Sequence, residues 1–99
     1  MNRESFACSM WYHGIGILGG TLLLDDDTLT YVIQRQRYDI DEQYWNLVLQ
    51  LNEIEEIKWK RIIFPLAIFQ MKSQEEYRIF IFNKKRFNRC YVKCQKNLF

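Results

Sequence analysis

Short stretches in which apolar and polar residues alternate run through most of this chain, and this period of two constrains the fold more than any other feature. In residues 29–34 the alternate positions Leu29, Tyr31 and Ile33 share one face. The segment WNLVLQL at residues 45–51 alternates in the same way. Such alternation is typical of strands with one buried face. The sequence therefore predicts several antiparallel strands joined by short loops.

The stretch GGTLLLDDDTLTYVI, residues 19–33, predicts a hairpin with Asp25, Asp26 and Asp27 at its tip. Aspartate favours turns because its side chain can accept hydrogen bonds from the nearby backbone. A calcium loop of the EF-hand type would spread its oxygen ligands over about twelve residues and end in a glutamate. This stretch returns directly to an apolar strand. We interpret the three aspartates as a solvated turn rather than a metal or catalytic site.

Three further segments extend the strand pattern. Ile54 and Ile57 lie three residues apart, which predicts a turn leading into a short strand. Pro65 interrupts IIFPLAIFQMK and cannot donate a ladder hydrogen bond, so it marks an edge, a bulge or a strand start. YRIFIF, residues 77–82, is apolar on both faces and predicts a strand covered on both sides. Residues 1–15 are compatible with a short helix or a strand.

The period changes after Asn83, which is a suitable helix N-cap, and a helix is predicted over residues 83–98. At about 100° per residue, one arc of this helix is apolar and the opposite arc is basic. The apolar arc holds Phe87, Cys90, Tyr91, Cys94 and Leu98. The basic arc holds Lys85, Arg86, Arg89, Lys93 and Lys96. Residues 1–83 hold 8 basic and 12 acidic side chains, whereas residues 84–99 hold 6 basic and none acidic. Such a tail either meets an anionic partner or docks on the acidic remainder of the chain.

The chain has 99 residues, of which 48% are hydrophobic, so a disordered chain is excluded and one domain over residues 1–99 is expected. An antiparallel sheet with one apolar face must cover that face or curl closed. We therefore predict a mainly β fold of the α+β type: an antiparallel curved sheet or partly open barrel of about seven strands, capped by the C-terminal amphipathic helix.

Three segments resemble GRAM-type domains of the pleckstrin-homology-like superfold. They are the hairpin pattern Gly20-x-Leu22-x-Leu24-Asp-x-x-x-Leu29-x-Tyr31, LVLQLNEIEEI at residues 47–57, and YRIFIFNKKRF at residues 77–87. The resemblance implies a roughly seven-stranded barrel closed by a helix. It also implies a non-enzymatic domain that binds phosphoinositide-bearing membranes, peptides or proteins. The first hairpin of lipid-binding relatives is basic, whereas here it carries Asp25, Asp26 and Asp27, so their headgroup site is not expected.

No catalytic or metal site is expected. Cys8, His13, Cys90 and Cys94 are the soft metal ligands, but their spacing is unlike that of common zinc sites, and buried cysteine is ordinary core material. Cys8 and His13 lack an evident orienting third group for nucleophilic catalysis. The adjacent pairs Glu55–Glu56 and Glu75–Glu76 point apart on a strand and make poor acid–base couples. No cofactor is predicted.

The expected function is that of a non-enzymatic binding module for a protein or peptide. The partner could be a second copy that adds a strand at a sheet edge, for which the strand interrupted by Pro65 is a candidate. The alternative is peripheral association with anionic membrane lipids through Lys85, Arg86, Arg89, Lys93 and Lys96. Nucleic acid is disfavoured as a partner. Three cysteines and no convincing secretory signal favour a cytoplasmic protein, at the inner membrane surface in the lipid-binding alternative.

Overall fold

The structure, a computed structural model, describes residues 3–98, with side chains described as far as residue 94. It contains seven strands, two short 3-10 turns at Glu42–Tyr44 and Leu51–Glu53, and one helix. The elements are β1 (Glu4–Tyr12), β2 (Gly16–Leu24), β3 (Thr28–Ile33), β4 (Asn46–Gln50), β5 (Ile54–Arg61), β6 (Pro65–Met71), β7 (Glu76–Ile81) and α1 (Lys84–Leu98). The predicted fold class, a curled antiparallel sheet with a C-terminal helix, is confirmed.

All seven strands belong to one sheet, in the order β4-β3-β2-β1-β7-β6-β5, and every neighbouring pair is antiparallel. The strands β4 and β5 follow each other in the chain, yet they form the two edges of the sheet. The result is a half-barrel. Of the edge, bulge and strand start left open for Pro65, the structure has the strand start, because Pro65 is the first residue of β6. β6 pairs on both sides, with β5 and with β7, so it is not the edge strand considered for the addition of a partner strand.

The N-terminal segment forms β1, which lies in the centre of the sheet. Its nine residues pair with β2 from Glu4 opposite Leu24 to Tyr12 opposite Gly16, and its second half pairs with β7. Phe6, Cys8 and Met10 are buried on the inner face. Of the two conformations left open by the sequence, the structure has the strand.

A bulge in β5 explains why two isoleucines three residues apart both face the core. Ile54 lies opposite Met71 and Glu56 lies opposite Gln70, so one extra residue is inserted between them. A bulge of this kind shifts the alternation of side chains by one position. Ile54 is consequently buried, and Ile57 packs against the same core.

The helix α1 covers the inner face of the sheet through one aromatic ring. The Phe87 ring is fully buried, and its centroid lies 5.3 Å from that of Phe6, 6.1 Å from Trp59 and 6.2 Å from Phe69. These three partners belong to β1, β5 and β6. The Oδ1 atom of Asn83 accepts a hydrogen bond from the Arg86 backbone N–H at 3.2 Å, which confirms Asn83 as the N-cap.

Candidate functional site

The predicted basic face of α1 is partly free in the structure. Lys85, Arg89 and Lys93 are exposed, and so is Lys84 at the first position of the helix. None of these four side chains forms an ion pair within residues 3–94. The side chain of Lys96 lies outside the described residues, as does that of Leu98 on the apolar arc.

Arg86 differs from the other predicted members of the basic face. Its guanidinium donates hydrogen bonds to the Glu4 carboxylate at 2.8 Å and to the Ser5 carbonyl at 2.9 Å, and it lies 4.4 Å from the centre of the Phe6 ring. These contacts tie the start of α1 to β1. Part of the basic tail therefore docks on the acidic remainder of the same chain, and Arg86 is engaged in the fold.

The three aspartates form the turn between β2 and β3. The Asp25 carboxylate accepts a hydrogen bond from the Asp26 backbone N–H at 2.9 Å and pairs with Arg3 at 3.4 Å. The carbonyl of Asp27 accepts a hydrogen bond from the Leu51 N–H at 2.9 Å, which fixes the turn against the β4–β5 corner. Their roles in this structure are those of turn residues.

The cysteines lie in or beside the core. Cys8 and Cys94 are buried, Cys90 is half-buried, and His13 is exposed in the turn after β1. Burial raises the pKa of the Cys8 thiol to about 12, and burial is also the main cause that raises the pKa of Cys94. Buried thiols with raised pKa values are poor nucleophiles. Within the described part of the chain, no three His, Cys, Asp or Glu side chains are grouped closely enough to hold a metal ion.

A second apolar cluster lies on the outer face of the sheet, opposite α1. Trp11 of β1 and Phe80 of β7 stack with ring centroids 6.0 Å apart. Phe80 is buried with Leu66 and Ile68 of β6, and Trp11 packs against this group. The outer face of β1, β7 and β6 is therefore apolar where an antiparallel sheet would ordinarily be solvated.

The loop between β5 and β6 extends this cluster into a groove. Ile62, Ile63 and Phe64 remain 57%, 78% and 50% exposed, and the Phe64 ring meets the exposed Phe82 ring edge-on at 5.0 Å. Between this loop and the sheet lies a groove of about 320 Å³. We call it the outer groove; it is lined by Ser9, Trp11 and Ile17, by Ile62–Phe64, and by Phe80 and Phe82.

The side chains that border the outer groove on β5 and β7 include several cations. The strand register places Lys58 beside Ile68 and Lys60 beside Leu66 on the outer face. The Arg78 guanidinium lies 5.6 Å from the centre of the Trp11 ring and pairs with Glu76 at 3.4 Å. Lys84 of α1 lies on the inner side of the same hairpin, with its Nζ 4.9 Å from the centre of the Trp59 ring, which packs against the main core. An occupant of the groove would meet apolar side chains flanked by positive charge.

The outer groove was not predicted, although two sequence signals point to it. Residues 77–82 are apolar on both faces, which requires a cover for Phe80 and Phe82 on the side away from the main core. Pro65 starts β6, so the three large apolar residues before it fall in a loop, where they are exposed. What the sequence could not show is that this loop lies beside β1 and β7.

Comparisons with known proteins give information on the fold but none on the function. No protein-family model matches the chain, and no curated protein does. Among solved structures, the crystal structure of the C-terminal domain of an unknown protein from Leishmania infantum is similar, with a TM-score of 0.70 and 12% identity. The match covers 93% of this chain and 82% of that one. Among the described residues, no helix is long and apolar enough to cross a membrane.

Proposed function

We propose that this protein is a non-enzymatic binding module that holds a protein or peptide segment in the outer groove. The observation that carries the proposal is the exposure of Ile17, Ile62, Ile63, Phe64 and Phe82 around one continuous apolar depression. Single exposed apolar residues are normal on a protein surface, but a contiguous group of them marks an interaction site. The resemblance to GRAM-type domains, in which binding is the usual role, stays a prediction.

The chemistry of the outer groove suits side chains of another polypeptide. Its floor contains the stacked Trp11 and Phe80 rings, and aromatic residues in partly formed pockets dominate the energy of many interfaces. Its wall is a hairpin loop whose side chains gain burial only when a partner covers them. Burying a large apolar side chain stabilises a complex by roughly 1.5–3 kcal/mol before the costs of association.

Affinity purification with matched variants tests the proposed function. Ile63→Ser removes the most exposed apolar side chain of the groove, and Val48→Ser removes an exposed valine on the outer face of β4, away from the groove. We expect a protein to be captured by the parent chain and by Val48→Ser, and to be depleted about tenfold with Ile63→Ser, which corresponds to loss of one well-buried contact. Equal recovery with all three chains would contradict the proposal. Light scattering on the same chains distinguishes a second copy from another protein.

A second candidate function is peripheral association with an anionic membrane surface in the cytoplasm. The exposed Lys84, Lys85, Arg89 and Lys93, which have no ion-pair partners within the described side chains, favour it. Each basic residue close to an anionic bilayer contributes about 1 kcal/mol, and the attraction falls off with added salt. The apolar arc of α1 packs on the sheet, so this association would be electrostatic rather than inserted.

Charge reversal at Arg89 and Lys93 tests the membrane candidate. We expect the parent chain to sediment with phosphatidylserine vesicles at low salt and to be released as salt is raised. Arg89→Glu combined with Lys93→Glu should abolish sedimentation, while Arg35→Glu, on the loop between β3 and β4, should leave it unchanged. Sedimentation that survives the double reversal would rule out this face of the helix as the lipid contact.

A further inference from the structure

We infer that the segment bound in the outer groove carries acidic residues beside its large apolar side chains. This inference rests on the proposed function and adds the chemistry of the partner to it. The observations behind it are the cations around the groove, the small number of acids near them, and the shape of the surface.

The cations lie beyond β6, on β5 and at the start of α1. Lys58 and Lys60 are exposed on the outer face of β5. At the end of the same hairpin, Lys60, Arg61 and Lys84 line a pocket with Pro65 and with Trp59, whose ring packs against the main core. Phe64 and Phe82, which touch each other, connect this cationic border to the groove itself. A segment lying across the strands from Ile17 toward Lys58 would meet, in order, Trp11, Arg78 and Ile68 on the outer face.

These charges have few negative neighbours in the same part of the chain. No acidic residue occurs between positions 57 and 74 or between positions 77 and 99. Two acids lie on the outer face of these strands: Glu56, two residues before Lys58 on β5, and Glu76, which pairs with Arg78. No ion pair within residues 3–94 involves Lys58, Lys60 or Arg61. A partner that brings carboxylates to this border gains attraction, whereas a basic one is repelled.

The same charges disfavour a second copy related by a two-fold axis through the groove. In a two-fold interface a residue away from the axis contacts residues on the opposite side of the axis, so the cations of one copy would face the Ile17 side of the groove in the other. That side is lined by Ser9, Trp11 and Ile17 and offers no carboxylate to the cations. The groove is thus better suited to a different polypeptide than to itself.

The shape of the surface favours a polypeptide over a bilayer. The tip residue Ile63 is 78% exposed and could touch a flat surface, but Trp11 is only partly exposed and Phe80 is 8% exposed on the groove floor. A flat surface reaches protruding side chains, whereas a depression of about 320 Å³ between loop and sheet accepts side chains that project into it. The partly covered aromatic floor is therefore accessible to peptide side chains.

Selection from a phage-displayed library of short random peptides tests the inference directly. The purified full chain is the bait, and the selected peptides are then synthesised and titrated by fluorescence anisotropy. We expect peptides in which Asp or Glu lies beside Trp, Phe, Leu or Ile. Their affinity should fall about tenfold with Lys60→Glu plus Arg61→Glu at low salt, since this change turns attraction into repulsion, and the difference should shrink at high salt. Arg89→Glu plus Lys93→Glu on α1 is the matched charge control, because it also reverses two exposed cations but lies away from the groove, and circular dichroism verifies that each variant is folded.

The remaining outcomes separate the inference from the proposed function. Peptides that need Ile63 but are neutral or basic would overturn the inference and leave the proposed function standing. A selection that yields no peptide sensitive to Ile63→Ser would overturn both. Vesicles of phosphatidylserine bound in an Ile63-dependent way, with no peptide bound, would assign the groove to lipid instead. A dimer that dissociates with Ile63→Ser would assign it to a second copy.

Discussion

Replacing Gly20 by alanine should lower the free energy of unfolding by about 2–3 kcal/mol, because the added methyl group has no space and its neighbours cannot move away. A Cβ atom built on Gly20 would lie 2.4 Å from the Val32 carbonyl oxygen and 2.6 Å from Cε1 of Tyr31. The first atom belongs to the backbone of β3, which pairs with β2 at this position. The Tyr31 ring is buried, and its hydroxyl donates a hydrogen bond to the Leu18 carbonyl at 2.9 Å.

Gly19→Ala is the matched control for this effect. A Cβ on Gly19 would meet nothing closer than Oε1 of Gln34 at 3.6 Å, an ordinary contact with the end of a flexible side chain. Glycine in a strand is less favourable than alanine by roughly 0.5–1 kcal/mol, so the control should be neutral or slightly stabilising. Urea denaturation of the two variants gives the comparison. Equal midpoints would show that β2 and β3 do not approach as closely as the structure has them.

The alternation of side chains was enough to predict most strands of this fold. In β3 the inward positions Leu29 and Tyr31 are buried and Val32 is exposed, as predicted, because a strand with one buried face sorts its residues by polarity. The helix was predictable for the same reason, with Phe87, Tyr91 and Cys94 buried on one arc. Strand alternation and helical spacing are local patterns, so each can be recognised within a single segment of the sequence.

The sheet order was not predictable from such local patterns. The pairing of β1 with β7 joins residues about seventy positions apart, for example Cys8 with Ile81, and no period within either segment encodes it. In β1 small residues such as Ala7 and Ser9 lie between the buried ones, so its strand period was weak. Pro65 alone could not decide between an edge strand and a strand start, because proline at a strand start is compatible with an interior strand such as β6.

The candidate site shows the same division between local and long-range information. The basic residues of α1 were predictable from helical spacing, yet the contacts that engage Arg86 come from Glu4 and Ser5 at the other end of the chain. The outer groove requires the β5–β6 loop to lie beside β1 and β7. Each of its parts is visible in the sequence as an apolar residue, but their juxtaposition is a product of the sheet order.

The largest loss of stability is expected for Phe87→Ala, at about 3–5 kcal/mol, because the ring fills the space between α1 and three strands. Its neighbours Phe6, Trp59 and Phe69 are held in β1, β5 and β6, so the cavity left by the ring can collapse only partly. For a domain of this size such a loss should lower the melting temperature by roughly 15–25 °C. Thermal unfolding followed by circular dichroism measures the effect.

Val92→Ala is the control that separates docking of the helix from its intrinsic stability. Val92 lies on the same helix but is 46% exposed, and its truncation should change stability by less than about 0.5 kcal/mol. Alanine has a higher helix propensity than phenylalanine or valine, so a change in helix propensity cannot destabilise either variant. A large cost at Phe87 with none at Val92 therefore measures contacts between α1 and the sheet. Similar small costs at both positions would mean that α1 does not cover the inner face of the half-barrel. The apolar arc of the helix would then be exposed and could contact lipid.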